Sequence, residues 1–144
     1  MPIQVTIERV ESTREYDGIV YSQRVVATLF DRTTIGLFDP NTAVTREMIG
    51  TEQRLQIGVL VDEITRVDEL RESVKPSSDD PTSWHGHTYS GTLTQTETIE
   101  DATELHLDFG VGDLTVSLRR SPSDLTVGDT VELRAQRSDI KQVL

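Results

Sequence analysis

Two groups of residues in this 144-residue chain have types and spacings that could do chemistry. The first is Trp84-His85-Gly86-His87, which holds the only tryptophan and two of the three histidines. Residues i and i+2 of a strand share a face, so His85 and His87 could ligate a metal together, with Asp79 or Asp80 adding a carboxylate. The competing reading makes this the end of a linker, where Trp84 anchors the returning chain against the second half. His106 joins such a site only if the fold carries its strand there. The second group is a set of arginines: Arg119, Arg120, Arg134 and Arg137, with Arg24, Arg32 and Arg54 as rough counterparts earlier. Beside Phe109, and with Tyr21, Phe30 and Phe38 in the first half, they could line a groove that follows a phosphate backbone and stacks bases. Against this, arginines in so acidic a chain usually pair with Asp or Glu on a solvated face.

Catalytic patterns are missing. There is no Gly-x-Ser-x-Gly elbow, no phosphate-binding Gly-Lys-Ser/Thr loop and no His-Glu-x-x-His. Gly110-Val111-Gly112 leads from one strand into another and so is not a dinucleotide fingerprint. Paired acids such as Asp62-Glu63 are expected by chance at this composition. The chain therefore reads as non-enzymatic and without a cofactor, although an acid–base site needs only two or three residues that converge in space.

The chain has 25 acidic and 14 basic residues, for a net charge of −11, and no cysteine. Disulfides and thiolate zinc sites are excluded. The first residues lack the basic and apolar regions of a signal peptide, and no window approaches the roughly 18 apolar residues of a membrane helix, so a cytoplasmic protein is expected. Only Lys75 and Lys141 are lysines, twelve basic residues are arginines, and threonine occurs nineteen times. This composition resembles that of proteins from salt-accumulating, haloarchaeal organisms. Molar salt shortens the Debye length to about 3 Å and removes most of the self-repulsion of such a chain. Acidity is then an adaptation to solvent and neither demands a basic partner nor excludes nucleic acid.

The elements that must position these residues are mostly strands. Gln4 to Val10 alternates polar and apolar residues, as do Arg54 to Val61 and Glu104 to Phe109. Val25 to Phe30 and Thr34 to Phe38 flank a turn at Asp31-Arg32-Thr33. Gly110 to Asp113 reads as a hairpin turn into Leu114 to Arg119, and Val127-Gly128-Asp129 turns into Thr130 to Ala135. Thr42 to Met48 is expected to be a short helix stopped by Gly50. Asp62 to Ser73 is expected to be either a helix, with Ile64, Val67 and Leu70 at helical spacing, or a strand and a charged helical turn. Residues 75–83, rich in Pro, Ser and Asp, read as a linker between a β-rich first half, 1–74, and a second half, 84–144. The alternative is that the two halves pack as one domain.

The two halves repeat five features in order. Tyr16-Asp17-Gly18 precedes Arg24 to Phe38, then Ile49-Gly50, Arg54 to Val59, and Asp62 to Val67. Tyr89-Ser90-Gly91 precedes Glu104 to Leu118, then Val127-Gly128, Thr130 to Ala135, and Ser138 to Val143.

The second half, from Tyr89 to Val143, resembles a small OB-type β-barrel. The resemblance rests on Gly91 in a first strand, the hairpin over Leu105 to Leu118, and Leu125 to Leu133 with its Val-Gly-Asp entry. It also rests on the ending Ser138-Asp139-Ile140-Lys141-Gln142-Val143, which is similar to the ending of the molybdate-binding and transporter-associated barrels. The first half fits through Gly18, Ile49-Gly50 and Val59 to Val67. The resemblance implies an all-β chain with one or two OB-like barrels, and it carries no catalytic motif across; such barrels host many functions. The functional expectation is a binding or interaction module with a protein partner or a second copy of itself. Single-stranded nucleic-acid binding is the alternative, followed by small oxyanion or metal binding and an enzyme of unknown chemistry.

Overall fold

A computed structural model describes residues 2–69, 71–76, 80, 82–99, 102–118 and 125–144. The strands are β1 (Ile3–Tyr16), β2 (Ile19–Leu29), β3 (Thr34–Asp39), β4 (Glu52–Arg66), β5 (Ser73–Lys75), β6 (His87–Ile99), β7 (Ala102–Asp108), β8 (Asp113–Leu118) and β9 (Thr130–Val143). The chain is all-β. Its expected first helix shrinks to a single 3₁₀ turn, Arg46–Met48. Of the two readings of Asp62 to Ser73, the strand is the one formed: β4 runs on to Arg66, and its backbone pairs with β9 as far as Val131. Sheet pairing overrides the helical spacing there, because Glu63 to Arg66 each gain a ladder partner.

The strands close two barrels of OB type. In the first, β1, β2, β3, β9 and β4 follow one another, and β4 returns to β1. In the second, β6, β7, β8, β4 and β9 follow one another, and β9 returns to β6. Each barrel thus has the order first, second, third, fifth, fourth, with the fifth strand parallel to the third. β9 lies parallel to β3 at Asp139 and Phe38, and β4 lies parallel to β8 from Ile57 to Leu60. The fifth strand of each barrel is the far end of the other half's fourth strand. The sequence segments 1–74 and 84–144 are therefore not separately closed units.

Matching hydrogen bonds recur in both barrels. Ile7 N–H donates to Thr51 O at 3.0 Å and its carbonyl accepts from Gly50 N–H at 2.7 Å. Leu93 N–H donates to Asp129 O at 2.9 Å and its carbonyl accepts from Gly128 N–H at 2.8 Å. A bulge follows Ile7 in β1 and Leu93 in β6. Gly50 (φ +83°) and Gly128 (φ +98°) sit where an L side chain would be strained. By this register Gly91 lies inside β6, whereas Gly18 makes the β1–β2 turn, so the Tyr-x-Gly features do not correspond.

Alternation fills the interiors. Ile3, Val5 and Ile7 of β1, Leu55 and Ile57 of β4, and Leu105, Leu107, Val116 and Leu133 of the second barrel are buried in one core. Each such side chain contributes roughly 2 kcal/mol of transfer free energy. Among the described residues, no helix is long and apolar enough to cross a membrane.

Candidate functional site

The residues singled out around Trp84 lie on a strap, formed by Asp80 and residues 82–86, that crosses the outside of the first barrel. Gly36 makes the crossing possible. A Cβ there would stand 1.9 Å from the carbonyl oxygen of Thr82, so only glycine lets the strap backbone lie on β3. Ser138 N–H donates to Trp84 O at 3.0 Å and Gly86 N–H donates to Ala135 O at 3.1 Å, which ties the strap to β9. The Trp84 ring lies 5.1 Å from the ring of Phe38. Trp84 therefore holds the strap to both halves of the chain, by its carbonyl on Ser138 of the second half and by its ring on Phe38 of the first.

His87 is fully buried and belongs to a proton-ordered chain. A carbonyl only accepts, so His87 Nε2–H donates to Ser83 O at 2.9 Å. Nδ1 is then bare and accepts from the Ser138 hydroxyl at 2.8 Å. Ser138 Oγ in turn accepts from the Tyr89 hydroxyl at 2.8 Å. Burial pushes the His87 pKa down to about 4, so the ring is neutral. Burial likewise pushes the Tyr89 phenol well above its ordinary value. This arrangement corrects the metal reading of His85 and His87. Both His87 nitrogens are occupied inside the protein, and exposed His85 directs Nδ1 to Gln136 O at 3.0 Å. Asp79 lies outside the described residues, and Asp80 accepts from the backbone and hydroxyl of Thr82. Among the described residues, no three potential metal ligands converge. Ser138 beside a histidine looks like a nucleophile and base, yet Ser138 is 0% exposed and lies out of a substrate's reach.

The arginine groove is also redrawn. Arg119 and Arg120 lie outside the described residues. Arg137 is held by Asp139 through Nε at 2.7 Å and a second nitrogen at 3.0 Å, and its guanidinium lies 5.0 Å from the Phe38 ring centroid. Arg134 is exposed but shares a small recess with Glu63 and Glu132. Phe109, expected to stack bases, is instead a core residue at 1% exposure with its ring edge-on to Tyr89. Its neighbours in the strand pattern, Leu105 and Leu107, point into the same barrel, and Phe109 follows their parity.

An exposed surface that sequence reading passed over lies on the β1–β2 arm. From Arg9 to Tyr16, β1 pairs with β2 alone among the described residues, and β2 from Ile19 to Ser22 pairs with β1 alone. A two-stranded ribbon of this kind is marginal by itself. Its tip carries Tyr16 at 73%, Ile19 at 57% and Tyr21 at 50% exposure. Arg14, Glu15, Tyr16 and Tyr21 line a groove of about 460 Å3. Residues 9–24 hold three arginines (Arg9, Arg14, Arg24) and three acids (Glu11, Glu15, Asp17), so the arm is neutral in a chain of net charge −11. An Arg24 nitrogen pairs with Glu11, which holds that carboxyl below its ordinary pKa. The available signal was Tyr16-Asp17-Gly18-Ile19, a turn between two residues with no core-facing partner.

No protein-family model and no curated protein matches the chain. Among solved structures, it is similar to the cytoplasmic molybdate-binding protein ModG in a crystal form with molybdate bound. The two are 12% identical, with a TM-score of 0.48 over 97% of this chain and 92% of that one. At that distance no residue role is carried across.

Proposed function

We propose that this chain is a non-enzymatic interaction module of a salt-rich cytoplasm, that its halves arose by duplication, and that it associates with a second copy of itself through the β1–β2 arm. The observation that carries the reading is the exposed Tyr16, Ile19 and Tyr21 on a ribbon whose strands pair only with each other among the described residues. Exposed apolar clusters and unpaired strand edges mark association surfaces. Neutrality supports a like partner, because two copies can meet there without the repulsion that the rest of the surface imposes.

The test is light scattering of the purified protein from about 0.2 M to 3 M KCl, a range that takes the Debye length to about 2 Å. Dimers are expected, in a fraction that rises with salt as repulsion is screened and apolar contact strengthens. The double substitution Tyr16→Ser, Tyr21→Ser should leave a folded monomer. A wild-type protein that stays monomeric throughout, or dimers indifferent to both substitutions, would sink the proposal.

A further inference from the structure

The repeated barrels supply an internal control for every exposed residue. A residue required by the fold should recur at the matching position, and one that does not recur has another reason to be there. Phe30 is the most exposed large apolar side chain among the described residues, at 86%. It follows Leu29 in the turn closed by Leu29 N–H and Thr33 O; its counterpart follows Phe109 in the turn closed by Phe109 N–H and Gly112 O, and is Gly110. The fold therefore places no demand for a ring at this turn. Arg54 sits opposite Gln4 in the β1–β4 ladder, and its counterpart, opposite Ser90 in the β6–β9 ladder, is Glu132. Arg54 also differs from Arg9, Arg24, Arg66, Arg71 and Arg137, each of which has an acidic partner. Among the described residues, no carboxylate lies within ion-pair distance of Arg54.

These two unexplained residues line one groove. Phe30, Arg54, Gln4, Pro2, Gly110 and Val111 line an open groove of about 480 Å3 where the β7–β8 turn of the second barrel meets β1 and β4 of the first. That volume is in the range of small-ligand sites. A smaller recess of about 40 Å3, which also includes Gln4 and Phe30, adjoins it. Gln4 donates its amide N–H to Glu52 Oε2 at 2.9 Å, which leaves its side-chain carbonyl as an acceptor. The groove thus offers an aromatic face, an uncommitted guanidinium and an acceptor.

We infer that this groove binds a flat aromatic ring carrying an anion, of the chemistry of a nucleotide. The ring stacks on Phe30, the phosphate pairs with Arg54, and an amino group of the base reaches the Gln4 carbonyl. Stacking on an exposed ring tolerates any base, and a guanidinium recognises phosphate through paired N–H groups. A free nucleotide and a nucleotide within a single strand offer the same chemistry. The inference stands apart from self-association, because Phe30 and Arg54 lie at the opposite end of β1 from Tyr16.

The experiment is isothermal titration of the full chain with AMP, a twelve-residue dA strand, adenosine and inorganic phosphate, with circular dichroism to check each variant. Saturable binding is expected for AMP or the strand, with adenosine and phosphate alone weaker by about tenfold or more, the loss of one stacked or one charged contact. Phe30→Ser and Arg54→Gln should each weaken binding by about tenfold and leave the fold intact, as both side chains are exposed. Tighter binding of the strand than of AMP assigns the site to single strands; equal binding assigns it to the free nucleotide. The inference is overturned by no saturable binding at millimolar AMP or strand, by binding that neither substitution moves, or by a Phe30→Ser effect confined to oligomeric state.

Discussion

The two barrels share one strand order and one set of junction hydrogen bonds, yet their outer faces differ. On the first barrel the strap lies over β3 at Gly36, and Ser138 is sealed from solvent. On the second barrel the matching position to Gly36 is Thr115, which is half-buried. The counterpart of the neighbouring Asp139, which is 5% exposed, is Leu60 there, which is 44% exposed. Their arms differ too. The β1–β2 arm is neutral and carries tyrosines, whereas residues 95–105 of the β6–β7 arm carry Glu97, Glu100, Asp101 and Glu104 with no lysine or arginine. A common backbone therefore tolerates opposite surfaces, and the departures mark what the backbone does not require.

The largest expected effect comes from cutting the comparison in two. Residues 84–144 expressed alone lack the parallel strand that β4 lends to β8. They should be unfolded at low concentration, or dimeric through exchange of β9. A folded monomer by circular dichroism and light scattering would show that the barrels do not depend on each other.

Next in size is the pH response of the strapped side. His87 has an ordinary pKa of 6.5 when unfolded and about 4 when folded. The unfolded chain therefore binds the extra proton. The stability tied to neutral His87 is fully present above pH 6.5 and is lost as pH falls toward 4, about 3 kcal/mol in all. Urea denaturation of the wild type should show that slope over this window, and His87→Gln should flatten it. Parallel profiles for the two proteins would place the proton uptake elsewhere.

The smallest effect sharpens the contrast of the two faces. Gly36→Ala should cost about 2 kcal/mol, because Thr82 must move. Its signature should be a red shift in the emission of Trp84, the only tryptophan. Thr115→Ala should change stability by less than about 0.5 kcal/mol, as a half-buried position with no strap above it among the described residues. Equal costs at the two positions would contradict the asymmetry.

How far the sequence made this legible depended on periodicity. Strands with one face in a core, such as Arg54 to Val61 and Leu114 to Leu118, were readable from alternation alone. The single strand β9 covers two segments that the sequence offers separately, Thr130 to Ala135 and Ser138 to Val143, divided by polar Gln136-Arg137. In the fold Ser138 is buried beneath His87 and Tyr89, and Asp139 is neutralised by Arg137, so the strand runs on. The pairing of His87 with Ser138 spans 51 residues and left no local trace. The β1–β2 arm was hidden for the opposite reason: it has no buried face, and Val10 is the last residue of β1 to follow the core pattern into its interior. The strap, which overlaps the expected linker, reads as irregular in sequence, and its place depends on Gly36, a distant glycine in a strand.

Two strands threaded through both barrels also govern how the molecule comes apart. Opening either barrel strips the fifth strand from the other, so no half-open state keeps its hydrogen bonds. Heat absorption on melting should therefore appear as one transition, with equal calorimetric and van't Hoff enthalpies. The amide protons of β4 and β9 along their shared ladder, from Leu55 and Val143 to Arg66 and Val131, should be the last to exchange with solvent, because only complete unfolding releases them.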